Sequence, residues 1–378
     1  YSSGDVAYIL PKNPTSHVDD IIQYLNYDPN MVISDIIPIN ADQHQRPSNL
    51  RLPITIRDLF LGHFDILGSP KRIFFEMLQF FVSDPNFKER LQYFSSKEAQ
   101  DDLRQYNQKE KRNYIDVLKD FNCTSIPFEY MFDLVSQMKP RPFSISSSSL
   151  VHPQTIHITA GLVKYSCPLR KLTRMGLCSK WFESLQCGTK IAMYVKASGA
   201  KPPSSLLTPL IMVGPGTGCA MFRSFIQQRD HLIKHHQGSK ADLGQGQSLF
   251  YFGCRHRDQD YLYRDEFEQY HDCSTLTKLS VAFSRDQEQK VYVQHMMKLD
   301  SKLIWSLLES GAYFYISGAS GRMPKDVRAQ LINIIKENIG VGVASNSDPG
   351  TVNGDGDVDP AQQYLDRLEK EKRYITET

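Results

Sequence analysis

The sequence predicts a protein of mixed class, in which an antiparallel β-barrel with a helical insertion precedes a doubly wound parallel α/β sheet. Three observations lead to this fold class. Short β-forming runs separated by Pro and Asn turns occur in the first 47 residues and again from residue 141. Apolar residues at helical spacing fill most of the interval between them. Beyond residue 204 the pattern alternates between buried strands and helices.

Length and charge narrow the functional classes. A chain of 378 residues is long for one core, and 44 Lys and Arg against 42 Asp and Glu leave a net charge of +2. This balance argues against a nucleic-acid or polyanion binder. Seven cysteines without a C-x-x-C pair argue against a disulfide framework or zinc ribbon and favour a reducing compartment. We therefore expect a cytoplasmic location, with a mitochondrial one as an alternative, and no metal site.

The first domain is predicted to span residues 1–203. Val6–Leu10 and 31–39 are its opening strands, and residues 141–149, 155–163 and 189–197 supply later ones. The helical insertion covers about 48–135, and its aromatic stripe at 73–81 is typical of a packed core. Since the chain does not begin with Met, we expect it to be a fragment of a longer protein.

The second domain is predicted to span residues 204–378. Its strands are Leu210–Val213, 249–253, Lys278–Phe283 and Tyr313–Ser317, each followed by a helical segment. Residues 341–360 are rich in Gly, Asn, Asp and Ser and predict a surface loop, and a last helix is predicted over 361–374.

Three glycines at alternate positions join the first of these strands to a helix. Gly214, Gly216 and Gly218 allow a close backbone approach, and the free amides of a helix amino terminus attract anions. The pattern lacks the ending of a nucleotide-triphosphate loop and the spacing of the common dinucleotide fingerprint. It predicts a phosphate site, with a plain strand-to-helix turn as the alternative. Gly176 begins a second helix of similar character.

A polar cluster follows the strand Lys278–Phe283. Ser284, Arg285 and Lys290 offer a hydroxyl, a bidentate guanidinium and an ammonium, which suit a terminal phosphate ester. This strand end does not present the acidic residue that would bind a free ribose hydroxyl. The cluster favours NADPH over NADH, and a solvated polar face is the alternative. Ser317 ends the last predicted strand, where a reacting group would be presented.

Taken together, these motifs resemble the NADPH-dependent diflavin reductases, whose C-terminal half is a ferredoxin-NADP reductase module. The resemblance implies that Arg141 pairs with the FAD pyrophosphate, Phe143 lies against the flavin and Ser144 reaches its N5 edge. It implies FAD contacts at Arg112, Arg141, Pro142, Phe143, Ser144, Thr159, Ala160, Gly161, Tyr165, Gly176, Leu177, Cys178 and Ser179. With the glycine turn included, the NADPH contacts are Gly214, Gly216, Thr217, Gly218, Ser284, Arg285, Lys290, Val291, Tyr292, Val293, Gln294 and Asp326.

Four positions depart from the family pattern. Phe143 replaces the usual Tyr, Met221 replaces a Pro, and Ser317 stands where cytochrome P450 reductase has a Cys beside the nicotinamide. The chain also ends without the family's terminal aromatic residue. Glu377 matches the acidic member of the catalytic set, so the resemblance implies Ser144, Ser317 and Glu377 as its catalytic groups.

The resemblance implies a flavoprotein oxidoreductase that transfers hydride from NADPH to FAD. Electrons would pass through FMN, on a flavodoxin domain outside this chain, to an anamorsin-type Fe-S protein in cytosolic iron-sulfur assembly. No nucleic-acid partner is expected, and no membrane contact of this fragment. Two alternatives remain open: an electron donor of the cytochrome P450 reductase type, and a docking scaffold with reduced catalysis.

Overall fold

The computed structural model describes residues 1–39, 50–235, 246–339 and 359–377. Most of the predicted surface loop at 341–360 lies outside these residues. The chain divides into two compact units. The helical unit comprises Tyr8–Pro142 and Gly161–Tyr194, and the sheet unit comprises Tyr1–Ala7, Phe143–Ala160 and Val195–Thr378.

Strands and helices are numbered along the chain. The strands are β1 (Val6–Leu10), β2 (Val32–Ile33), β3 (Ile54–Thr55), β4 (Arg141–Ser144), β5 (Lys164–Cys167), β6 (Leu172–Met175), β7 (Ala192–Lys196), β8 (Leu210–Val213), β9 (Ser248–Cys254), β10 (Lys278–Phe283), β11 (Tyr313–Ser317) and β12 (Tyr374–Glu377). The helices are α1 (Thr15–Tyr24), α2 (Ile56–Gly62), α3 (Arg72–Leu78), α4 (Pro85–Ser95), α5 (Gln100–Leu103), α6 (Tyr114–Asp120), α7 (Met131–Leu134), α8 (Leu177–Ser184), α9 (Cys219–Lys234), α10 (Arg257–Asp260), α11 (Arg264–Asp272), α12 (Val293–Leu299), α13 (Ser301–Glu309), α14 (Arg322–Ile339) and α15 (Pro360–Lys370).

The helical unit has a core rich in aromatic side chains. Phe74 and Phe75 of α3 are buried there, which confirms the core role predicted for the aromatic stripe. Leu78 is buried there too, whereas Ile73 and Phe80 of the same stripe are exposed. Helix α6 begins with a reciprocal capping box between Asn113 and the carboxylate at its third position, so its first turn is well fixed.

The β-forming runs before residue 204 form three small sheets. One has the strand order β4-β1-β7, and β2-β3 and β5-β6 are two-stranded antiparallel pairs. Pairing is shorter than the alternation in the sequence predicts: 31–39 contributes only Val32–Ile33, and 155–163 only a bridge between Ile145 and Ile158. Alternation of apolar and polar residues shows which segments suit a strand, but it does not show whether a neighbouring strand is there to pair with them.

A five-stranded parallel sheet forms the centre of the sheet unit, as predicted. Its order is β10-β9-β8-β11-β12, with every neighbouring pair parallel. Alternate residues of β8 enter two cores: Ile211 and Val213 pack in one, Leu210 and Met212 in the other. From β8 the chain builds first towards β10 and then returns to place β11 on the other side. The gap between β8 and β11 is therefore a topological switch point, where such sheets bind ligands.

The end of the chain differs from the prediction of a helix over 361–374. Helix α15 ends at Lys370, and Lys372 has a left-handed φ of 56°, which a helix cannot continue through. The last residues then pair in parallel with β11 as β12, and Tyr374 stacks on Phe314 with ring centroids 5.9 Å apart. A strand of four residues has too short a sequence pattern to be distinguished from the end of the helix before it.

Candidate functional site

The helical unit contains a cavity of about 630 Å³. Four of the predicted FAD residues line it: Arg141, Tyr165, Gly176 and Leu177. They belong to separate stretches of the chain, on β4, on β5 and at the start of α8. The fold therefore brings together, within one unit, a guanidinium, an aromatic ring and a helix amino terminus that the sequence keeps apart.

Gly176 caps the amino end of α8. Its extended backbone turns the chain into the helix, and its N–H donates to the carbonyl of Val163 at 2.9 Å. The hydroxyl of Ser179 accepts a hydrogen bond from the amide of Val163 at 2.9 Å. Burial raises the pKa of the Cys178 thiol to about 11, so this thiol carries no negative charge at neutral pH. The helix start thus presents a positive dipole end, suited to a phosphate.

Arg141 is held at the cavity by Asp65. Its Nη2 lies 3.1 Å from Asp65 Oδ2, and its Nη1 donates to the carbonyl of Lys139. The other carboxylate oxygen of Asp65 is buried and has no hydrogen-bond partner among the described residues. A buried acceptor left unsatisfied at the wall of a polar cavity indicates room for a ligand donor or water.

Sequence reasoning missed a second guanidinium at this cavity. Arg174 on β6 pairs with Asp116 of α6 at 2.6 Å, and its Nε is buried without a partner among the described residues. Burial alone would raise the pKa of Asp116, but a hydrogen bond from Arg170 and the charges of both arginines lower it overall. Arg141, Arg174 and the start of α8, which all line the cavity, therefore fit a pyrophosphate. The available signal was the position of Arg174, two residues before Gly176.

Arg112 lies outside this group. Its Nε pairs with Asp120 at 2.8 Å, its Nη1 donates to the carbonyl of Tyr106 at 2.6 Å, and its guanidinium lies over the Tyr106 ring. The protein itself already satisfies this guanidinium. Its neighbour Lys111 lines the cavity instead, with the ammonium 4.9 Å from the centroid of the Tyr165 ring.

In the sheet unit, the glycine turn follows β8 and occupies the switch point. The Gly214 amide donates to the Tyr251 carbonyl at 3.0 Å, and Gly216 has a left-handed φ of 57°. A Cβ on Gly218 would lie 2.1 Å from the carbonyl oxygen of Ser317. Only glycine fits this last position, so the turn lies closely against the end of β11.

The side chains around the turn take different positions. Thr217 is exposed at the turn, whereas Met221 is buried in the core of the sheet unit. Met221, the departure from the family's Pro, therefore contributes packing beneath the start of α9.

The polar cluster after β10 is anchored through its backbone. The Ser284 amide and hydroxyl both donate to the carbonyl of Cys254, at 2.9 and 3.2 Å, and the Arg285 amide donates to that of Arg255. The side chains of Arg285 and Lys290 are exposed. Asp286, which sequence reasoning missed, accepts from the Arg257 amide at 3.0 Å and pairs with His256 at 2.9 Å. A fixed backbone thus carries two accessible cations.

The remaining predicted NADPH residues lie on or before two helices. Tyr292 caps α12, Val293 is buried at its start, and Asp326 is half-buried in α14. Val291 and Gln294 are also half-buried beside the start of α12.

Ser317 and Glu377 lie side by side on neighbouring strands. They are register partners of β11 and β12, and the Gly318 amide donates to the Glu377 carbonyl at 3.2 Å. Ser317 is buried, and partial burial raises the pKa of the Glu377 carboxyl. A raised carboxyl pKa suits a group that holds or passes a proton near neutral pH.

These groups occupy one edge of the parallel sheet. Ser284 follows β10, Gly214 follows β8, and Ser317 and Glu377 end β11 and β12. Adjacent strands lie about 4.8 Å apart, so this edge extends about 19 Å from β10 to β12. An extended dinucleotide can therefore place one phosphate at the cations, its pyrophosphate at the glycine turn and its other end beside Ser317.

The last predicted FAD contacts lie on two segments. Phe143 and Ser144 are half-buried on β4, and the Thr159 hydroxyl is 2.7 Å from the Tyr263 hydroxyl. Pro142, Ala160 and Gly161 are exposed.

Comparison with family models divides the chain into two matches. Residues 1–181 match the model described as FAD binding domain, and residues 212–329 match the oxidoreductase NAD-binding domain. The second match contains the glycine turn, the polar cluster and Ser317. Among the described residues, no helix has the length and apolar character needed to cross a membrane.

Curated relatives match the whole chain or most of it. It is 50% identical over 399 residues to NADPH-dependent diflavin oxidoreductase 1 of Dictyostelium discoideum, covering 100% of this chain and 63% of the relative. The Mus musculus protein of the same name is 37% identical, with 100% and 59% covered. NADPH--cytochrome P450 reductase of Cavia porcellus is 34% identical, with 89% and 50% covered. The chain thus spans less than two thirds of the length of these relatives.

Proposed function

Because this chain belongs to the diflavin oxidoreductase family, we propose that it supplies the FAD and NADPH half of a reductase that passes electrons singly to a second flavin. The chain is an oxidoreductase with FAD-binding and NAD-binding domains. One observation above all supports NADPH as the hydride donor: a glycine turn and a cluster of exposed cations lie on the same sheet edge.

The protein's contribution to hydride transfer is binding and orientation. When bound, FAD would supply the hydride acceptor and NADPH the hydride donor, so that transfer would leave NADP⁺ and the reduced flavin. Arg141, Arg174 and the first amides of α8 would bind the FAD pyrophosphate. Gly214–Gly218 would bind the pyrophosphate of NADPH, and Arg285 its 2′-phosphate.

Three side chains would lie at the reaction centre. Ser144 would donate or accept a hydrogen bond at the N5 edge, as the family resemblance implies. Glu377 would hold a proton beside the nicotinamide, because its burial favours the protonated carboxyl. The Ser317 hydroxyl would contact the nicotinamide where related reductases have a thiol.

The onward path of the electrons is also part of the proposal. They would pass to FMN on a flavodoxin domain of the longer protein and then to an anamorsin-type Fe-S protein in cytosolic iron-sulfur assembly. The name of the 50% identical relative and the family variant Phe143 support this path over the P450 reductase type. This role corresponds to a cytoplasmic protein, with a mitochondrial pool as an alternative.

An anaerobic titration tests the hydride transfer. The purified chain is loaded with FAD, NADPH is added, and the flavin absorbance is recorded. Bleaching is the expected result, and a persistent yellow colour would contradict the reductase and favour a docking scaffold. NADH should bleach the flavin far more slowly, because it carries no phosphate for Arg285; equal rates would contradict the coenzyme assignment.

The acceptor is tested with the full-length protein. Addition of NADPH should reduce the clusters of a purified anamorsin-type protein, as monitored by electron paramagnetic resonance. Reduction of a cytochrome P450 in preference to the Fe-S protein would instead favour the alternative electron donor.

A further inference from the structure

We propose that Arg223, paired with Glu266, which Gln227 in turn binds, is a positioning residue for hydride transfer. It fastens two flavin-contacting segments to α9, the helix that begins at the NADPH turn. The inference rests on the proposed function, since its consequence is the geometry between nicotinamide and flavin. Every residue involved belongs to the sheet unit.

The guanidinium of Arg223 forms hydrogen bonds inside the protein through its Nε and Nη1. The residue is only 8% exposed, and its Nε donates to Glu266 Oε2 at 2.7 Å. Its Nη1 donates to the carbonyl of Ser146 at 2.9 Å and lies 3.3 Å from His157 Nδ1. Burial and the neighbouring His152 lower the pKa of His157, so its Nδ1 is available as an acceptor. The guanidinium also lies 4.4 Å from the centroid of the Tyr263 ring.

These contacts lead to both segments assigned to the flavin. Ser146 lies two residues after Ser144, and His157 lies two residues before Thr159. The Ser146 amide donates to the His157 carbonyl at 2.8 Å, which joins the two segments. Tyr263, under the guanidinium, is bonded through its hydroxyl to Thr159 at 2.7 Å. The Arg223 side chain thus contacts both segments, at Ser146 and at His157.

Gln227, one helical turn further along α9, completes the arrangement. Its Oε1 accepts from the Ser148 amide at 2.9 Å, and its Nε2 donates to Glu266 Oε1 at 2.8 Å. Both oxygens of Glu266 are therefore engaged by side chains of α9. Arg223 and Gln227 are both buried, and their hydrogen bonds have fixed directions. These bonds therefore favour one arrangement of the two segments and penalise others.

A buried ion pair is weak evidence for stability, since desolvation offsets much of its attraction. What matters for this proposal is that the ion pair between Arg223 and Glu266 requires a fixed geometry. Displacement of reacting groups by about 1 Å can slow a reaction by about 100-fold. A lysine at position 223 would keep the charge but lack the planar fork that reaches Glu266 and the Ser146 carbonyl together.

The test compares two pairs of matched variants in the FAD-loaded chain. R223K and E266Q alter the buried pair, while R264K and E268Q alter an exposed pair, 3.1 Å apart, on α11. Anaerobic stopped-flow measurement gives the limiting rate of flavin reduction and the apparent Kd for NADPH. NADPH deuterated at the transferred position gives the isotope effect on that rate.

For R223K we expect the limiting rate to fall by about 10- to 100-fold, with a larger isotope effect. The NADPH Kd should stay within about threefold, because the lost contact concerns orientation. E266Q should behave similarly and the α11 controls like the wild type. If R223K unfolds, Q227N provides the same readout with the guanidinium intact, and its expected loss of rate is about 3- to 10-fold.

Three results would overturn the proposal. One is a limiting rate in R223K equal to that in R264K. Another is a rate loss that only tracks loss of FAD or a lower unfolding temperature, which would indicate a structural role. The third is a Q227N variant with an unchanged rate. A wild-type chain that NADPH does not bleach would instead contradict the proposed function itself.

Discussion

At the scale of single residues, the exposed cation Arg285 is the most direct test of coenzyme choice. Its backbone is fixed while its side chain is accessible, so substitution should change binding without disturbing the fold. Arg285→Ala should weaken NADPH binding by about 1.5 to 3 kcal/mol, the contribution of a charged hydrogen bond. Calorimetric titration measures it. NADH binding serves as the control and should be unchanged; an equal loss for both coenzymes would refute the assignment.

A second residue-scale prediction concerns Arg174. Arg174 lines the cavity proposed for FAD, and its Nε has no hydrogen-bond partner among the described residues, so we expect it to help bind the FAD pyrophosphate. Arg174→Ala should therefore weaken FAD binding by about 10-fold or more, measured by the fluorescence of released flavin. Arg112→Ala is the informative comparison, because that side chain is satisfied by Asp120 and Tyr106. A larger loss of FAD from the Arg112 variant would reverse this assignment.

Sequence motifs predicted some of these residues and could not predict others. Gly214 directly follows β8 and Arg285 lies two residues after β10, so local pattern was enough to select them. Arg174, Asp286 and Arg223 gain their importance from partners on other elements, at 58, 29 and 43 residues' distance for the bonds to Asp116, Arg257 and Glu266. Such pairings arise only when the fold brings the elements together.

At the scale of elements, the contact between the glycine turn and the end of β11 leaves no room for a side chain. Gly218→Ala would force a Cβ against the backbone of Ser317, so one strand end must move. We expect a loss of at least about 2 kcal/mol in unfolding free energy, together with weaker NADPH binding. Thermal and denaturant unfolding provide the measurement.

Gly62→Ala is the matched control for this substitution. Gly62 ends α2, and nothing lies within 4 Å of a Cβ there. The change should be neutral or stabilising by up to about 1 kcal/mol. Equal effects at Gly62 and Gly218 would mean that the close approach to Ser317 is unimportant.

The β12 strand carries a pH-dependent prediction. Burial raises the pKa of Glu377 above its ordinary value of 4.5, so the folded chain retains a proton that the unfolded chain releases. The associated stability is present below pH 4.5 and is lost as pH rises through the folded pKa. Glu377→Gln keeps the side chain neutral and should raise the unfolding temperature at about pH 7.5 but not at about pH 4.

Exposed Glu309 is the control for this pH dependence. Glu309→Gln should give the same small change in unfolding temperature at both pH values. An advantage of the Glu377 variant at the lower pH alone would contradict the direction of the pKa shift.

Whether a strand was predicted correctly depended on how distinctive its sequence pattern is. Strands β8 and β11 were predicted with their observed bounds, because four or five buried residues between turn residues are distinctive. β12 was missed, since it follows α15 after a left-handed residue and needs β11 as its partner. The predicted domain boundary near residue 203 and the roles of the site residues stay predictions.

At the scale of the whole molecule, each compact unit is assembled from separate stretches of the chain. Segment 143–160 lies far in sequence from α9 yet belongs to the same unit. Linear composition cannot reveal this interleaving, although it did predict the parallel sheet and the helical region. The family resemblance added what composition could not, namely a prediction of which residues of each segment bind which cofactor.

The two proposed phosphate sites differ in their exposure to solvent, and this difference has a practical consequence. Arg285 and Lys290 stand in open solvent, where about 0.5 M salt reduces the screening length to a few ångströms. Arg174 and Asp65 sit within a polar cavity whose charges salt reaches less easily. Raising the salt concentration should therefore release the chain from an immobilised 2′-phosphate nucleotide while FAD stays bound. Elution of colourless protein would contradict this expectation, and the absorbance of the eluate at the flavin band measures it.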